Sequence, residues 1–332
     1  MTEESSTITH LSDAMTTTGM MQITGGNTML SFYFQCAVLV IGVVGTATNG
    51  LVLYALLASK QHKKHVLIVN QNVLDLFASF MMVLSSLLKL CNIHLTGSVG
   101  YWLCTLLYSD NFFWAGSYGS CINLASITVD RYLKVVHSVW SKKKLHNWMI
   151  YSALAFSWIG GIVSSAAVVF STTAVRSGVC YAYTIWASNT ARKINFFWNF
   201  ISFYLIIILI FVFCYWRILV VIRRQANVMA SHVAAAGPST SQAHAQAQSN
   251  QIQTNVIKTM ILVSALFAIS WLPMYVYILD LNLNPNPIYG GYYPSLVIAF
   301  LYTCTNPFIY AIKFDPVKEV LLGLIPCKKN SG

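Results

Sequence analysis

The chain has 332 residues, of which 56% are hydrophobic and only 9% charged, and its mean hydropathy is +0.61. Soluble proteins carry roughly 25% charged residues, so this composition excludes an ordinary water-soluble domain and favours a membrane protein. The net charge of +11 does not indicate nucleic-acid binding, because the longest basic run has three members, at positions 142–144. The eight cysteines include no C-x-x-C pair, so no metal site is predicted.

The first 29 residues are acidic and rich in Ser, Thr and Met, which predicts a disordered tail without a cleavable signal peptide. Seven apolar runs follow, each long enough to cross about 30 Å of hydrocarbon. We therefore predict an all-α membrane protein, with a seven-transmembrane helix bundle over residues 30–313. The predicted spans, one to seven, cover residues 30–59, 66–90, 101–136, 147–171, 194–223, 254–280 and 289–312.

The loops between these spans differ in charge. Of the 20 lysines and arginines, 16 fall on the side of the first, third and fifth loops and the C-terminus, and four fall on the opposite side. The positive-inside rule then places the N-terminus outside and the C-terminus in the cytosol. We expect a multi-pass protein of the plasma membrane.

Two cytoplasmic segments differ in composition from the spans. Residues 225–253 are rich in Ala, Gln, Ser and His and have no apolar period, which favours a flexible loop. Residues 314–324 alternate charges with a Leu and Val face, which predicts a short amphipathic eighth helix on the inner leaflet. In the tail up to residue 332, Cys327 lies beside two lysines and is a candidate for palmitoylation.

Polar residues interrupt the apolar runs at four places of similar predicted depth. Hydrogen bonds between helices would explain an amide or a hydroxyl there, at roughly 1 kcal/mol each. A buried carboxylate needs a cation or a proton, so Asp75 favours an inward-facing site for water and a cation. The four residues are Asn49, Asp75, Ser120 and Asn306.

Two further patterns indicate a bundle that moves. Pro273 and Pro307 interrupt spans six and seven, and each frees a backbone carbonyl one turn earlier. Asp130, Arg131 and Tyr132 place an acid–base pair at the cytoplasmic end of span three. An interfacial pair whose side chains extend toward the headgroups is the alternative interpretation of that motif.

Together these residues resemble the landmarks of a rhodopsin-like (class A) G-protein-coupled receptor. The resemblance covers about residues 30–327, and it depends on the whole ordered set because each motif alone is weak. The landmarks are Asn49, Asp75, the DRY motif at 130–132, Trp158, FxxxWxP from Phe267 to Pro273, and NPxxY from Asn306 to Tyr310.

The resemblance implies an activation switch. Asp130 would restrain Arg131 in the inactive state, and Arg131 would then move toward two tyrosines and open a crevice for a heterotrimeric G protein. Phe267 and Trp271 would relay ligand binding to an outward movement of span six. The residues with implied roles are Asp130, Arg131, Tyr132, Tyr215, Phe267, Trp271, Pro273, Asn306, Pro307 and Tyr310.

A disulfide and a cation site are also implied by the resemblance. Cys104 would pair with Cys180 in the second extracellular loop, with Cys91 near the same surface as the competing partner. An allosteric Na⁺ is the only cofactor that the resemblance suggests. Its sodium-type site would consist of Asp75, Ser120, Asn306 and Asn49.

Three departures from the family pattern lead to further expectations. Ile207 stands where span five usually has a proline, which questions the bulge that shapes this wall of the pocket. Cys104 precedes Arg131 by 27 residues, about two more than usual, so we expect an irregular top of span three. No acidic residue lies near positions 253 and 254, so Arg131 lacks a partner on span six, which predicts raised basal activity.

Residues in the outer half of the predicted bundle restrict the class of ligand. Receptors for amines have an aspartate at the position of Phe113, and opsins have a lysine at the position of Phe300, so amines are disfavoured and retinal is excluded. FAISWLP and DRYLKVVH look most like neuropeptide receptors of the galanin/somatostatin-like group, which favours a peptide, with a lipid or other neutral small molecule as the alternative. The candidate ligand-binding residues are Phe113, Asn111, Asp110, Trp271 and Tyr275.

A transporter or channel is the alternative from another class, but it would show inverted repeats or paired broken helices, and no repeat is visible. An intramembrane enzyme would need a catalytic pair, and Asp75 has no such companion at its depth, so no catalytic residue is predicted. Arrestin and receptor kinases, as further partners, would have to use the serines and threonines of residues 225–253, because only five residues follow Cys327.

Overall fold

The computed structural model describes residues 28–60, 62, 65–236, 241–284, 289–313 and 315–324. The greater part of the predicted tail, residues 1–27, and the palmitoylation candidate Cys327 lie outside these residues. The first helix begins at Thr28, two residues before the predicted start of span one.

The described residues form the predicted seven-helix bundle. Spans one, two, four and seven each consist of one helix, namely α1 (Thr28–Ala58), α2 (Val66–Leu90), α6 (Asn147–Thr172) and α10 (Tyr292–Lys313). Span three joins α3 (Gly97–Leu103), a π-helical turn (Cys104–Tyr108) and α4 (Asn111–Val136). Span five joins α7 (Asn189–Phe200), a second π-helical turn (Ile201–Leu205) and α8 (Ile206–Ala236), and span six is α9 (Ser241–Leu283). The remaining helices are α5 (Ser138–Lys144), a 3₁₀ turn (Tyr289–Gly291) and α11 (Asp315–Leu324).

Within the described residues, six helices are long and apolar enough to cross a membrane. Span three is not among them, because its helix α4 carries buried Asn, Ser, Thr and Gly residues along its length. A polar helix of this kind is tolerated at the centre of a bundle, where other helices shield it from lipid. Large apolar side chains on the outer spans, such as Phe156, Ile159 and Val212, are more than half exposed and form the bilayer-facing surface.

The connection between spans five and six differs from the prediction. Helix α8 runs to Ala236 and α9 starts at Ser241, so helical backbone covers most of the predicted loop at residues 225–253. Ala and Gln are strong helix formers, and a helix does not need an apolar period when it projects beyond the membrane. The predicted amphipathic eighth helix is confirmed as α11.

The π-helical turns correct one expectation and support another. Span five has the bulge at Ile201–Leu205 although Ile207 replaces the usual proline, so the questioned wall keeps its irregular shape. At the top of span three, the π-helical turn is followed by Asp110 with a φ of 56°. Each π turn takes up an additional residue, which explains how the longer Cys104–Arg131 interval fits the bundle.

Span three is the centre of the packing, and it contacts spans two, four and five. Its contact with span four is closest at Gly161, where an added Cβ would lie 2.3 Å from the Ala115 carbonyl oxygen and 2.8 Å from the Gly119 nitrogen. Small residues allow membrane helices to approach in this way. The polar residues of span three are therefore held in the middle of the bundle.

A two-stranded antiparallel hairpin covers one end of the bundle. Strands β1 (Ala174–Arg176) and β2 (Val179–Tyr181) are joined by Ser177 and Gly178, which both have positive φ, as tight hairpin turns require. The predicted disulfide is confirmed, because Cys104 is bonded to Cys180 of β2. The competing partner Cys91 is exposed and unbonded.

Candidate functional site

A polar cluster surrounds Asp75 in the middle of the bundle. Its carboxylate accepts hydrogen bonds from Ser120 Oγ at 2.7 Å and from Asn306 Nδ2 at 2.8 Å. Gln71, one helical turn before Asp75, donates its Nε2 to both carboxylate oxygens at 3.3 and 3.4 Å and also to Ser120 Oγ. None of the ion pairs among the described residues involves Asp75. Spans two, three and seven are thus joined through one fully buried carboxylate.

The predicted cation site is only partly assembled by hydrogen bonds. Asp75, Ser120 and Asn306 meet, whereas Asn49 donates to the Gly45 and Thr303 carbonyls at 2.9 and 3.0 Å. Thr303 lies four residues before Pro307, which has no N–H to donate to that carbonyl. The structure therefore places Asn49 at the backbone break in span seven and not on the carboxylate.

The oxygen atoms around Asp75 suit a small hard cation. Sodium-like ions take oxygen ligands, and the cluster offers two carboxylate oxygens and Ser120 Oγ. Asn306 Oδ1 is also buried and has no hydrogen-bond partner among the described residues. The amide nitrogen of Gln71 competes for the same oxygens, since it already donates to three of them.

Sequence reasoning missed a chain of amides that extends this cluster to span four. Asn123 Nδ2 donates to Gln71 Oε1 at 2.8 Å, and Asn70 Nδ2 donates to Asn123 Oδ1 at 2.9 Å. Trp158 Nε1 then donates to Asn70 Oδ1 at 3.0 Å. Gln71 could have been found, because it lies at i−4 from Asp75 on the same helix face.

The acid–base motif near the C-terminal end of span three has a different arrangement. Both carboxylate oxygens of Asp130 lie 2.8 Å from Lys134 Nζ, one helical turn further on. Arg131 Nε is 3.9 Å from Asp130, and Arg131 Nη2 is 3.4 Å from His65 Nδ1 at the start of span two. Tyr132 contacts His137, with 3.2 Å between Oη and Nε2. Lys134, which the motif does not include, is therefore the closest partner of the acid.

The two tyrosines that Arg131 is expected to approach are both buried beside it. Tyr215 Oη lies 3.1 Å from Thr128 Oγ1 on span three and 3.1 Å from Ser264 Oγ on span six. Tyr310 is 1% exposed, and its hydroxyl has no hydrogen-bond partner among the described residues. Both hydroxyls are thus within the bundle, below the Asp75 cluster and near the motif.

Aromatic rings form a continuous wall in the outer half. Trp271 lies 6.1 Å from Trp114 and 6.4 Å from Tyr275, measured between ring centroids, and 6.3 Å from Phe267 below it. Phe113 packs 4.7 Å from Phe300, which is the position where an opsin has its lysine. Trp271 Nε1 is a buried donor without a hydrogen-bond partner among the described residues.

The π-helical turn of span five contributes to this wall a residue that the sequence did not single out. Tyr204 lies within the turn, and its ring centroid is 4.9 Å from that of Tyr275. Its hydroxyl donates to the Ala268 carbonyl at 3.0 Å, in the turn that precedes Pro273. The bulge thus connects the aromatic wall with the proline break of span six.

The two polar ligand candidates have partners within the protein. Asp110 Oδ2 forms an ion pair of 2.5 Å with Lys89 of span two. Asn111 accepts hydrogen bonds from Ser165 of span four through its side-chain oxygen and its carbonyl. The structure therefore brings Trp271, Tyr275 and Phe113 to one aromatic region, whereas Asp110 and Asn111 join span three to its neighbours.

The segment between spans four and five is fixed over this region. Tyr183 donates its hydroxyl to the Ser109 carbonyl at 2.8 Å, and burial raises the pKa of Tyr183 well above its usual value, so the hydroxyl keeps its proton. Gly178 accepts a hydrogen bond from the Leu95 amide at 3.0 Å and leaves room for the His94 ring, where an added Cβ would clash.

Comparison with known proteins identifies the architecture. The model of the 7 transmembrane receptor (rhodopsin family) matches residues 48–310. The chain belongs to this family. Human (Homo sapiens) C-C chemokine receptor type 8 is 25% identical over 314 residues, which cover 90% of this chain and 79% of the receptor. Galanin receptor type 1 of Rattus norvegicus is 22% identical over 295 residues, or 86% of this chain and 80% of that receptor.

The solved structure of squid rhodopsin has the same fold, with a TM-score of 0.73 and 19% identity over 90% of this chain and 85% of the rhodopsin chain. Family membership confirms the class A resemblance and the all-α membrane fold. The protein is a multi-pass receptor of the plasma membrane, with an extracellular ligand and a G protein as partners in the general sense of the family. It is not an enzyme, and the transporter or channel alternative is excluded.

Proposed function

We propose that this receptor binds an extracellular peptide and activates a heterotrimeric G protein by opening its cytoplasmic face, with its N-terminus outside the cell. The observation that carries the proposal is the continuous contact from the aromatic wall to Tyr215, whose hydroxyl lies 3.1 Å from Thr128, two residues before Asp130. Trp271 and Phe267 connect the wall with the buried tyrosine Tyr215, through Phe211. A ligand that moves these rings would displace span six around the break at Pro273.

A peptide is favoured by the outer surface and by the relatives. The wall combines large aromatic rings with the ion pair Lys89–Asp110, and a peptide can contact both with its side chains and its termini. The similar proteins include receptors named for a chemokine class and for galanin. A neutral lipid or small molecule remains the second candidate, because the buried Trp271 Nε1 offers one donor to an uncharged ligand.

The motif at Asp130, Arg131 and Tyr132 would act as a gate, in which Arg131 exchanges its present partners for new ones. In the present state Asp130 is held by Lys134, and the arginine beside it is loosely paired at 3.9 Å. Arg131 would lose little when it leaves this position, because its ion pair with Asp130 is already long. Its new partners would be Tyr215 and Tyr310, whose hydroxyls lie on spans five and seven.

An allosteric sodium ion is proposed for the oxygens of Asp75, Ser120 and Asn306. When bound there, the ion would supply a positive charge that stabilises the inactive packing of spans two, three and seven. Gln71 would weaken its binding, because the amide already satisfies the carboxylate in the absence of a cation.

The test is a G-protein activation assay in cell membranes with a panel of Gα reporters. Extracts of secreted peptides should activate the receptor, and Arg131→Ala should abolish the response while surface expression stays unchanged. Activation by a lipid extract alone would overturn the peptide assignment. A full response from correctly folded Arg131→Ala protein would overturn the gate.

A further inference from the structure

Spans two, three and four line an open cavity of about 120 Å³ at the end of the bundle that carries Asp130 and Arg131. The volume is well above the roughly 15 Å³ that one water needs, so a small charged group fits with its hydration. The residues that line the cavity with polar groups are His65, Asp130, Arg131, Lys134 and Asn147.

The charges of the cavity are unbalanced toward the positive. Lys134 and Asp130 neutralise each other at 2.8 Å, which leaves the guanidinium of Arg131 as the surplus charge. Arg131 Nε is buried without a hydrogen-bond partner among the described residues, and its ion pair with Asp130 is 3.9 Å long. Arg131 is thus a partly buried cation with two long contacts, at 3.9 Å to Asp130 and at 3.4 Å to His65, and such a cation favours an added anion.

Two helix starts reinforce this preference. Helices α2 and α6 begin beside the cavity at Val66 and Asn147, and neither has a side-chain cap on its first turn. The free amides at a helix start carry partial positive charge and are suited to phosphate groups. The helix starts only support the assignment, which depends on the cavity and its two cationic side chains.

The opening of the cavity lies at the level of the lipid headgroups. Tyr151 on its rim is 60% exposed, and the neighbouring Trp148 is 65% exposed on the same helix. Tyr and Trp in such positions mark the membrane interface. Helix α5 ends nearby with Lys142, Lys143 and Lys144, which attract anionic lipids to the same surface.

We propose that this cavity binds the phosphomonoester headgroup of an inner-leaflet lipid, with Arg131 and Lys134 as its cationic ligands. A phosphomonoester carries up to two negative charges and matches the planar fork of an arginine, whereas the phosphodiester of an ordinary phospholipid carries one. The assignment to the inner leaflet rests on the orientation given under Proposed function. The binding chemistry itself does not depend on that orientation.

The experiment is native mass spectrometry of the full-length receptor, released from nanodiscs that contain phosphatidylinositol 4-phosphate in both leaflets. Nanodiscs with phosphatidylinositol, which lacks the phosphomonoester, are the lipid control. The receptor should retain the phosphorylated lipid at least about fivefold more than the unphosphorylated one. Equal retention of the two lipids would overturn the proposal. The orientation is tested separately, by labelling tags at the two termini of intact cells.

Variants of the receptor test whether the phosphorylated lipid binds in the cavity. Lys134→Gln should lower retention about fivefold, Lys134→Arg should keep it, and Lys142→Gln on the surface of α5 is the matched control that should change it less than twofold. An equal loss for Lys134→Gln and Lys142→Gln would show general surface attraction and overturn the cavity as the site. Displacement of the lipid by an equal concentration of soluble inositol phosphate would overturn the lipid as the occupant.

Discussion

Asp75 lies in the middle of the bundle and Asp130 at one end of it, and their surroundings differ in kind. Asp75 is fully buried among neutral donors from three spans. Asp130 lies between two cations on its own helix, with one close contact and one loose contact. A carboxylate held by cross-linked neutral donors has one favourable arrangement. A carboxylate between two cations can exchange one ion-pair partner for the other, which is what a switch requires.

The largest expected effect is a loss of stability when Asp75, the carboxylate held by neutral donors, is replaced. Asp75→Leu removes the acceptor of Gln71, Ser120 and Asn306, and each buried donor left without a partner costs about 1–3 kcal/mol. The thermal unfolding midpoint in detergent should fall strongly. Asp75→Asn keeps one acceptor oxygen and is the matched control, so its unfolding midpoint should fall less. Equal midpoints for the two variants would contradict the role of the hydrogen bonds.

Substitutions around Asp130, the carboxylate between two cations, should change signalling and leave stability almost unchanged. Lys134→Gln removes the close partner of Asp130, which should then hold Arg131 more tightly. Because such a pair contributes up to about 1 kcal/mol, basal GTPγS binding should fall up to about fivefold in phosphatidylcholine nanodiscs with purified G protein. Lys142→Gln should leave the basal rate unchanged. A higher basal rate in Lys134→Gln would show that Lys134 does not compete with Arg131.

A smaller effect is expected at Asn49, a neutral donor to the backbone carbonyl that Pro307 leaves without an N–H partner. Asn49→Ala leaves the Thr303 carbonyl without the donor that replaces the missing N–H of Pro307. Hydrogen bonds between membrane helices contribute about 0.6 kcal/mol on average, so the unfolding free energy should fall by this amount. Asn49→Asp, which cannot donate when ionised, should not restore it. Full stability of Asn49→Ala would mean that water replaces the amide.

Sodium gives the smallest effect and tests whether Gln71 substitutes for the cation. Replacing choline chloride by sodium chloride should stabilise Gln71→Leu more than the unmodified receptor, because the amide no longer competes. At a sodium concentration equal to the Kd the gain is about 0.4 kcal/mol. The shift in unfolding midpoint between the two salts is the measurement. The same shift in Asp75→Asn with Gln71→Leu would show that sodium acts elsewhere.

Hydropathy predicted the seven spans because the membrane demands long apolar helices, and the polar interruptions predicted which residues meet near Asp75. The position of Asn49 escaped prediction, since its partner is a backbone carbonyl that becomes available only through Pro307. Lys134 has no role in the predicted site, although its i+4 spacing from Asp130 predicts contact on one helix face. Such pairs are visible in the sequence when the helical period is applied to charged residues.

Other features have no signature in side-chain patterns. The bulge in span five arises from a shift of backbone hydrogen bonds at Ile201–Leu205, and no proline marks it. The helical extensions up to Ala236 and from Ser241 follow from Ala and Gln propensity, which an absence of apolar period conceals. The cavity beside Arg131 depends on how three helix ends meet, and this meeting is set by tertiary packing alone.

The two π-helical turns, Cys104–Tyr108 and Ile201–Leu205, both lie in the outer halves of their spans. In a regular α-helix an inserted residue would rotate everything on one side of it by about 100° relative to the other, whereas a wide turn absorbs the residue locally and avoids this rotation. Insertions can therefore accumulate at the outer ends of spans three and five while Asp75, Arg131 and Tyr215 keep their register. The bundle is divided into an outer part that tolerates changes in length and an inner part that does not, so new ligand preferences can evolve without retuning the signalling end.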